Sequence, residues 1–205
     1  AELGFKSAIT TNGTLLPNRG QALIDAGVYK VNISVHSFED GTEEDYVNYI
    51  SGCLDFAAKA AEKGTLVVLR LWNNGCDEGR NDRTVAMIHD AFPGAWQENI
   101  RGIKVANRVY LEHADRFDWP DVEAEDQGNR VFCYGLRDHF GILSDGRVVP
   151  CCLDREGVIT LGNIYEQDIG TILDNPRAKA MLAGFSCRKA TEELCRKCGY
   201  ARRFG

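Results

Sequence analysis

Residues 28–72 decide the fold class, and they read VYKVNISVHSFEDGTEEDYVNYISGCLDFAAKAAEKGTLVVLRLW. Apolar residues alternate with polar ones over 28–36, which predicts a strand. Residues 42–64 carry an apolar stripe at helical spacing, and 65–72 is strand-like again. A strand, a helix and a second strand in succession predict two parallel strands joined by a crossover helix. The sequence therefore indicates an α/β fold.

The predicted helix has a clear start signal. Thr42 is a suitable N-cap residue, and Asp45 follows three residues later. Glu43 and Glu44 suit the positive end of the helix dipole. Cys53 falls on the apolar stripe, so we expect it in the core rather than among metal ligands.

The same alternation continues on both sides of this segment. Residues 5–11 predict a strand that turns at Asn12-Gly13 into a helix over 18–26. Residues 82–92 predict a third helix, and 102–111 predict a fourth strand. The first half of the chain is thus expected to be a β/α domain.

The second half has a different pattern. Asp145-Gly146 lies between two apolar runs, which predicts a tight hairpin. Glu156-Gly157 predicts a second hairpin between 152–153 and 158–160, so we expect a small antiparallel meander. Asn175-Pro176 should open a short helix, because Asn is a good cap and Pro suits the first helical position.

These patterns divide the chain into three parts. We expect a domain over 1–118, an acidic linker over 119–131 and a cysteine-rich module over 132–205. Residues 112–130 contain a concentration of carboxylates, which supports the linker.

Four of the eight cysteines have the spacing of an inorganic cofactor site. In a chain without secretory features, cysteines spaced in this way favour a metal or an iron-sulfur cluster over disulfides. Four thiolates fully coordinate one zinc ion or one cluster of four irons and four sulfides. The predicted ligands are Cys133, Cys151, Cys195 and Cys198, with Cys187 and Cys152 as alternates.

Composition excludes several function classes. The formal charge of −6 argues against a nucleic-acid-binding surface, which needs a basic face. No run approaches the roughly 18 apolar residues of a membrane helix, and the N-terminus lacks the pattern of a signal peptide. We therefore predict a cytoplasmic protein that acts on a peptide or small molecule.

The cysteine pattern resembles a known family. Cys133-x12-Gly146-x4-Cys151 followed by Cys195-x2-Cys198 is similar to the auxiliary-cluster module, called SPASM or in its smaller form Twitch, of radical S-adenosylmethionine enzymes. The SPASM form needs about seven cysteines for two clusters, so one cluster in the Twitch manner fits better here. The resemblance implies an auxiliary 4Fe-4S cluster held by a small α+β module.

The first half resembles the same family. The stretch Ile9-Thr-Thr-Asn-Gly-Thr-Leu-Leu16 is similar to a strand and turn midway round the radical S-adenosylmethionine barrel, and Val31-Asn-Ile-Ser-Val-His36 is similar to the next strand. The resemblance implies a partial parallel (β/α) barrel of roughly the last four of six strands. The family's C-x3-C-x2-C loop and Gly-Gly-Glu segment do not occur in this sequence, and we expect both upstream of Ala1.

The family also implies an activity for the intact protein. Its members are oxidoreductases that use S-adenosylmethionine and a second 4Fe-4S cluster to abstract a substrate hydrogen. The auxiliary cluster would transfer an electron after that step, and a flavodoxin or ferredoxin would be the electron donor. We predict that the chain alone is inactive, because the catalytic cluster loop is missing from it.

The strand ends supply the other candidate site residues, since ligands of β/α barrels gather at that edge. By resemblance, Asn12, Ser34 and Arg70 would contact S-adenosylmethionine. His36 and Cys76 are weak candidates for catalytic groups. An ordinary structural role is the alternative for each of these residues.

Two other function classes remain open from the sequence. The same four thiolates would bind zinc tetrahedrally, which would make the module a zinc-stabilised structural site. Alternatively, the chain would be a degenerate, non-catalytic binding module for a peptide. Iron and sulfide content separates the first of these from a cluster.

Overall fold

Alternating strands and helices build the first of two units of the chain. The computed structural model describes residues 4–38, 41–100 and 102–204. The units are Ala1–Arg116 and Phe117–Gly205. The predicted linker segment, 119–131, lies within the second unit.

The first unit contains one largely parallel sheet. Its strands lie in the order β1-β2-β3-β6-β5-β4, and β1, β2, β3 and β6 are parallel to one another. Strands β5 and β4 complete the sheet as antiparallel neighbours. This arrangement confirms the predicted α/β class. In chain order the elements are β1 (Ala8–Thr11), α1 (Leu16–Asp25), β2 (Lys30–Ser34), α2 (Glu43–Glu62), β3 (Leu66–Asn74), α3 (Arg80–Ala91), β4 (Gln97–Asn99), β5 (Gly102–Ala106) and β6 (Val109–Asp115).

The prediction of a single strand over 102–111 is wrong. The chain reverses at Arg108, which adopts a left-handed backbone conformation with φ 61°, and this reversal separates β5 from β6. Asn107 is a common turn residue, but Arg108 stands where the strong hairpin pair Asn-Gly has its glycine, so the turn signal is weak. The fourth parallel strand is therefore β6 rather than 102–111.

The core of the first unit lies between the sheet and its helices. Ile33, Leu69 and Leu111 are fully buried on neighbouring strands, and Ile50 of α2 packs in the same cluster. Cys53 belongs to this core with no exposed surface, as its place on the helical stripe predicts.

The start of α2 follows the predicted capping pattern. The Thr42 hydroxyl accepts the backbone N–H of Asp45 at 3.2 Å, and the Asp45 carboxylate accepts the backbone N–H of Thr42 at 2.8 Å. This reciprocal capping box satisfies two backbone donors that a helix otherwise leaves unpaired. The direction of the chain into α2 is thereby fixed.

Short elements and turns make up the second unit. A three-stranded antiparallel sheet has the order β7-β8-β9, and the helices surround a smaller core that includes Ile159, Ile172 and Met181. No helix among the described residues has the length and apolar character needed to cross a membrane. The elements are β7 (Gly141–Ile142), β8 (Arg147–Val149), β9 (Gly162–Asn163), α4 (Ile169–Leu173), α5 (Pro176–Ser186), α6 (Glu193–Arg196) and a 3-10 helix (Gly199–Phe204).

The first predicted hairpin is confirmed, whereas the second has a different form. Strands β7 and β8 pair across Asp145-Gly146 as expected. Strand β8 then pairs with β9, and 150–161 is a run of turns instead of a ladder. The Asp154 carboxylate accepts the backbone N–H groups of Val158 and Ile159, both at 2.8 Å, so these donors are satisfied by a side chain rather than by a strand.

Candidate metal centre

The four predicted cysteine ligands come from four places in the second unit. Cys133 lies in the segment before β7, and Cys151 lies two residues after the end of β8. Cys195 is in α6, and Cys198 immediately precedes the 3-10 helix. All four side chains are half-buried.

Cys133 and Cys151 approach each other around Gly135. A Cβ atom at this glycine would lie 3.6 Å from the Cys133 sulfur and 3.7 Å from the Cys151 Cβ. The same Cβ atom would lie 3.1 Å from the Pro150 carbonyl oxygen, which is tighter than ordinary packing. A glycine at this position therefore lets the two cysteine segments come together.

The electrostatic environment of Cys195 relates it to the other three cysteines. Burial raises its pKa far above the usual range, and repulsion from Cys151, Cys133 and Cys198 adds to the shift. The Cys195 side chain packs against the same apolar core as Cys133. Cys133 and Cys195 therefore lie against one core, and the charges of Cys133, Cys151 and Cys198 act on Cys195.

Backbone N–H groups point at three of the four sulfurs. The N–H of Gly135 donates to the Cys133 sulfur at 3.3 Å. Cys151 accepts from the backbone of Leu153 and Asp154, and Cys198 accepts from Tyr200 and Ala201. These donors stabilise a thiolate, which is the form that binds a metal.

Burial outweighs these donors in the absence of a cation. It raises the pKa of Cys151 to about 11, while the N–H groups of Leu153 and Asp154 oppose the shift. Burial likewise raises the pKa of Cys133 and of Cys198. Burial therefore favours the neutral thiols, and a bound cation would displace their protons.

The sulfurs are near one another without forming a finished ligand set. Within the described ranges, no three side chains of Cys, His, Asp or Glu stand close enough to hold a metal ion as they are placed. The donor chemistry nevertheless fits a thiophilic cofactor, because four thiols and at least five backbone donors face one region. The types of donor atom therefore suit such a cofactor, although the side chains are not arranged as a complete set of ligands.

The remaining cysteines differ in exposure. Cys152 and Cys187, the alternates, are both exposed. The negative form of Cys152 still acts on the pKa of Cys133 and Cys151, so its thiol lies near the group. Cys76 is exposed in the turn after β3, and Cys53 is buried in the first unit.

Aromatic residues lie on both sides of Cys133 in the chain. Phe132 and Tyr134 flank this cysteine, with ring centroids 5.0 Å apart. Tyr134 contacts Phe204 at 4.9 Å, and Phe204 contacts Tyr200 at 5.5 Å. These edge-on contacts join the Cys133 segment to the 3-10 helix that follows Cys198.

The strand-end candidates lie in the first unit, and two of them are held by one tyrosine. The Tyr49 hydroxyl donates to the carbonyl of Asn12 at 2.6 Å and is 3.3 Å from the carbonyl of Ser34. The Asn12 side chain accepts from the backbone N–H and the hydroxyl of Thr14. Gly13 lies against the core here, because a Cβ would come 2.6 Å from the Cys53 sulfur.

Arg70 is paired with Ser34 in the parallel register and carries an ion pair that sequence reasoning missed. Its Nε lies 3.3 Å from a Glu112 carboxylate oxygen, and its guanidinium stacks 4.3 Å from the centre of the Trp72 ring. The His36 Nδ1 lies 2.9 Å from the Arg70 carbonyl oxygen. Asn12, Ser34, His36 and Arg70 thus gather at one edge of the sheet.

Glu112 was recognisable in principle. It lies in β6 between the buried Leu111 and the exposed His113, and its register partner in β3 is Arg70. A carboxylate on one strand opposite a guanidinium on its neighbour is a common cross-strand pair. The predicted strand 102–111 ends one residue before Glu112, so the sequence pattern assigns Glu112 to the charged stretch that follows.

A family comparison identifies the cysteine segment. Residues 133–199 match the model of SPASM, described as an iron-sulfur cluster-binding domain. This segment of the second unit is similar to SPASM domains. The match includes Cys133, Cys151, Cys195 and Cys198, and it agrees with the resemblance to SPASM that the cysteine spacing indicates.

Other comparisons add little to the SPASM assignment. No curated protein sequence matches the chain significantly. Among solved structures, the crystal structure of SeMet BtrN in an open conformation aligns with 95% of this chain and 92% of that chain, at 12% identity and a TM-score of 0.34. A TM-score of this size is below the level at which two folds are considered the same.

Proposed function

We propose that this chain is part of a radical S-adenosylmethionine oxidoreductase whose SPASM domain binds one auxiliary 4Fe-4S cluster. The proposed ligands are Cys133, Cys151, Cys195 and Cys198. The substrate class is a peptide or small molecule, and the proposed role of the cluster is electron transfer after hydrogen abstraction. An electron donor such as a flavodoxin or ferredoxin fits this role.

The observation that carries the proposal is the presence of four half-buried thiols in the matched segment, where the Cys133 and Cys151 segments approach each other. Their segments approach at Gly135, and Cys195 interacts electrostatically with the other three. Backbone N–H groups at Cys133, Cys151 and Cys198 would offset the negative charge of thiolates and sulfides. We expect the side chains to rotate inward as the cofactor binds.

The number of protein ligands supports a role in electron transfer. A 4Fe-4S cluster with a cysteine at each iron supplies one-electron chemistry and leaves no open iron position for substrate. Half-burial of the thiols would leave the site close enough to the surface for exchange of an electron with a partner.

The first unit is proposed to contact S-adenosylmethionine through Asn12, Ser34 and Arg70. Their placement at one edge of a parallel sheet supports this, since ligands of such sheets lie at the carboxyl ends of the strands. A ligand carboxylate at Arg70 would share the guanidinium with Glu112. His36 lies beside them, whereas Cys76 lies in an exposed turn, which makes His36 the better candidate for a catalytic group.

The 205 residues hold no C-x3-C-x2-C motif. We therefore expect the chain alone not to cleave S-adenosylmethionine. Production of 5′-deoxyadenosine by this chain with a chemical reductant would contradict that expectation.

Anaerobic reconstitution tests the proposal. The purified chain, supplied with iron and sulfide, should take up about four irons and four sulfides and develop a brown colour. The single variants C133A, C151A, C195A and C198A should each lose most of the bound iron. C152A and C187A are matched controls, since these exposed cysteines lie in the same domain and should leave the iron content unchanged.

The same experiment discriminates between the alternatives. One zinc per chain after purification, with no iron or sulfide taken up, would favour the zinc-stabilised module. Absence of both metals would favour a degenerate binding module. If C152A or C187A lost its iron while one of the four ligand variants kept it, the alternate cysteine would take the place of that member of the quartet as the ligand.

A further inference from the structure

The segments that carry Cys151 and Cys195 are joined by one arginine outside the quartet. Arg177 lies in the first turn of α5, and its Nε and Nη2 donate to the two carboxylate oxygens of Glu192, both at 2.8 Å. Its Nη1 donates to the carbonyl oxygen of Thr160 at 3.2 Å. Thr160 ends the turn-rich loop that begins at Cys151, and Glu192 is the residue before α6, which contains Cys195.

Neighbouring contacts fix the position of this arginine. Asn175, the N-cap of α5, donates to the carbonyl oxygen of Leu161 at 2.8 Å, so the start of α5 is tied to the Cys151 loop. Asp154, which is 2% exposed, organises the same loop through the backbone of Val158 and Ile159. Arg177 therefore meets a rigid loop on one side and α6 on the other.

The charge of Arg177 also reaches the site. The hydrogen bonds to Glu192 raise the pKa of Arg177, and the negative forms of Asp154 and Cys195 add to the shift. Glu192 acts in the opposite sense, because its charge helps to raise the pKa of Cys195.

We propose that Arg177 is a positioning residue for the cofactor: through Glu192 and Thr160 it holds the Cys195 segment against the Cys151 loop, and it brings a positive charge to that junction. This inference rests on the proposed function, since it requires a cluster at the quartet. The bidentate pair suits such a role, because a planar guanidinium held at both oxygens fixes distance and orientation together.

The proposal makes opposite electrostatic predictions for the two members of the pair. Removing a positive charge near an anionic cluster disfavours reduction, whereas removing a negative charge favours it. R177Q should therefore lower the midpoint potential, and E192Q should raise it. We expect about a tenfold change in the reduction equilibrium for R177Q, which corresponds to ~59 mV for one electron.

Reconstituted wild type, R177Q, R177K and E192Q would be compared by iron and sulfide content and by anaerobic reductive titration of the visible absorbance. R177Q should retain about half of the wild-type iron, because the two ligand segments lose their link. R177K should keep a potential near that of the wild type while losing iron, since lysine keeps the charge and cannot form the bidentate pair. K179Q is the matched control on the same helix, because Lys179 pairs with Asp174 on an exposed surface, and it should change neither quantity.

The outcomes separate this inference from the proposed function. A wild-type chain without iron would contradict the proposed function itself. A loaded wild type with R177Q at the same iron content and potential would overturn the role of Arg177 alone. Midpoint potentials that shift in the same direction in R177Q and E192Q would also overturn the role of Arg177, because they would indicate that the whole domain has become less ordered. If R177Q took up no cluster, the midpoint potentials of R177K and E192Q would still test the role of Arg177. A potential near the wild-type value in R177K and a raised one in E192Q would support that role, and any other pair of values would overturn it.

Discussion

The two units of the chain position their candidate functional residues by different physical means. In the first unit, strand register places Ser34 beside Arg70, and helix and strand residues share one buried core. In the second unit, turns and side-chain hydrogen bonds place the cysteines, and the strands are two or three residues long. Regular structure can carry the first site without a ligand, whereas the second depends on contacts that a bound cofactor would complete.

The cores of the units explain this difference. Most of the large side chains with no exposure belong to the first unit, including Ile50, Leu69 and Ile88. The second core contains fewer of them, among which are Ile172 and Met181. Small domains with sparse cores commonly gain their stability from metals, because metal binding supplies folding free energy. We therefore expect the second unit to be the cofactor-dependent part.

Removing the cofactor should have the largest effect, and that effect should be confined to the second unit. Structural metals contribute roughly 10–16 kcal/mol to the folding of small domains. Chelation of the reconstituted chain should thus remove most of the amide protection in the second unit, as measured by hydrogen exchange and mass spectrometry. Peptides from the first unit serve as the internal control. Equal loss of protection in both units would contradict the comparison.

A mutation that creates a cavity in the core of the first unit should lower the stability of that unit only. Leu69 is fully buried at the centre of β3, and Leu69→Ala should cost about 2–5 kcal/mol of unfolding free energy because it removes packed methyl groups. Urea unfolding followed by circular dichroism measures this loss. Leu15→Ala is the control, since Leu15 is 65% exposed. The iron content of Leu69→Ala should equal that of the wild type, and a loss of iron would show that the site depends on the first core.

An intermediate effect is expected from the loop that follows Cys151. Asp154→Ala leaves the backbone N–H groups of Val158 and Ile159 without their acceptor, and the loss at the buried Ile159 donor should cost about 1–3 kcal/mol of unfolding free energy. Asp154→Asn keeps one acceptor oxygen, so it should lose less unfolding free energy than Asp154→Ala. Iron content after reconstitution and unfolding of the second unit are the two measurements. Equal behaviour of the Ala and Asn variants would argue against the hydrogen-bonding role.

The sequence predicts the first unit well because its elements follow from local signals. Alternation, the Thr42 cap and the glycine after Asn12 each correspond to a feature of the structure. The reversal at Arg108 was missed because arginine rarely adopts the left-handed conformation, so its presence after Asn107 does not mark a turn as a glycine would. The pairing of Arg70 with Glu112 depends on that reversal, so it was missed with it.

For the second unit, the sequence predicts the identity of the module but not its connections. The spacing of Cys133, Cys151, Cys195 and Cys198 is a local pattern, and the family match confirms the type of module. The contacts of Arg177 with Thr160 and Glu192 join residues 15 or more positions apart. No periodicity encodes such a contact, because it depends on how the loops pack.

The smallest effect should come from the capping box of α2, and it should appear only in acid. Hydrogen bonds from the Thr42 backbone and hydroxyl hold the pKa of Asp45 below its usual value. Because the folded state has the lower pKa, the stabilisation is complete above the unfolded pKa of about 3.9 and is lost as the pH falls through the folded value. Asp45→Asn cannot titrate, so the stability of the first unit should fall less between about pH 6 and pH 3 than in the wild type.

Urea unfolding at the two pH values measures this difference, and Asp55→Asn on the same helix is the matched control because Asp55 lies outside the cap. A wild type and an Asp45→Asn variant with the same pH dependence would show that the capping box makes no pH-dependent contribution. The stability of the first unit would then come from its buried core rather than from this local side-chain contact.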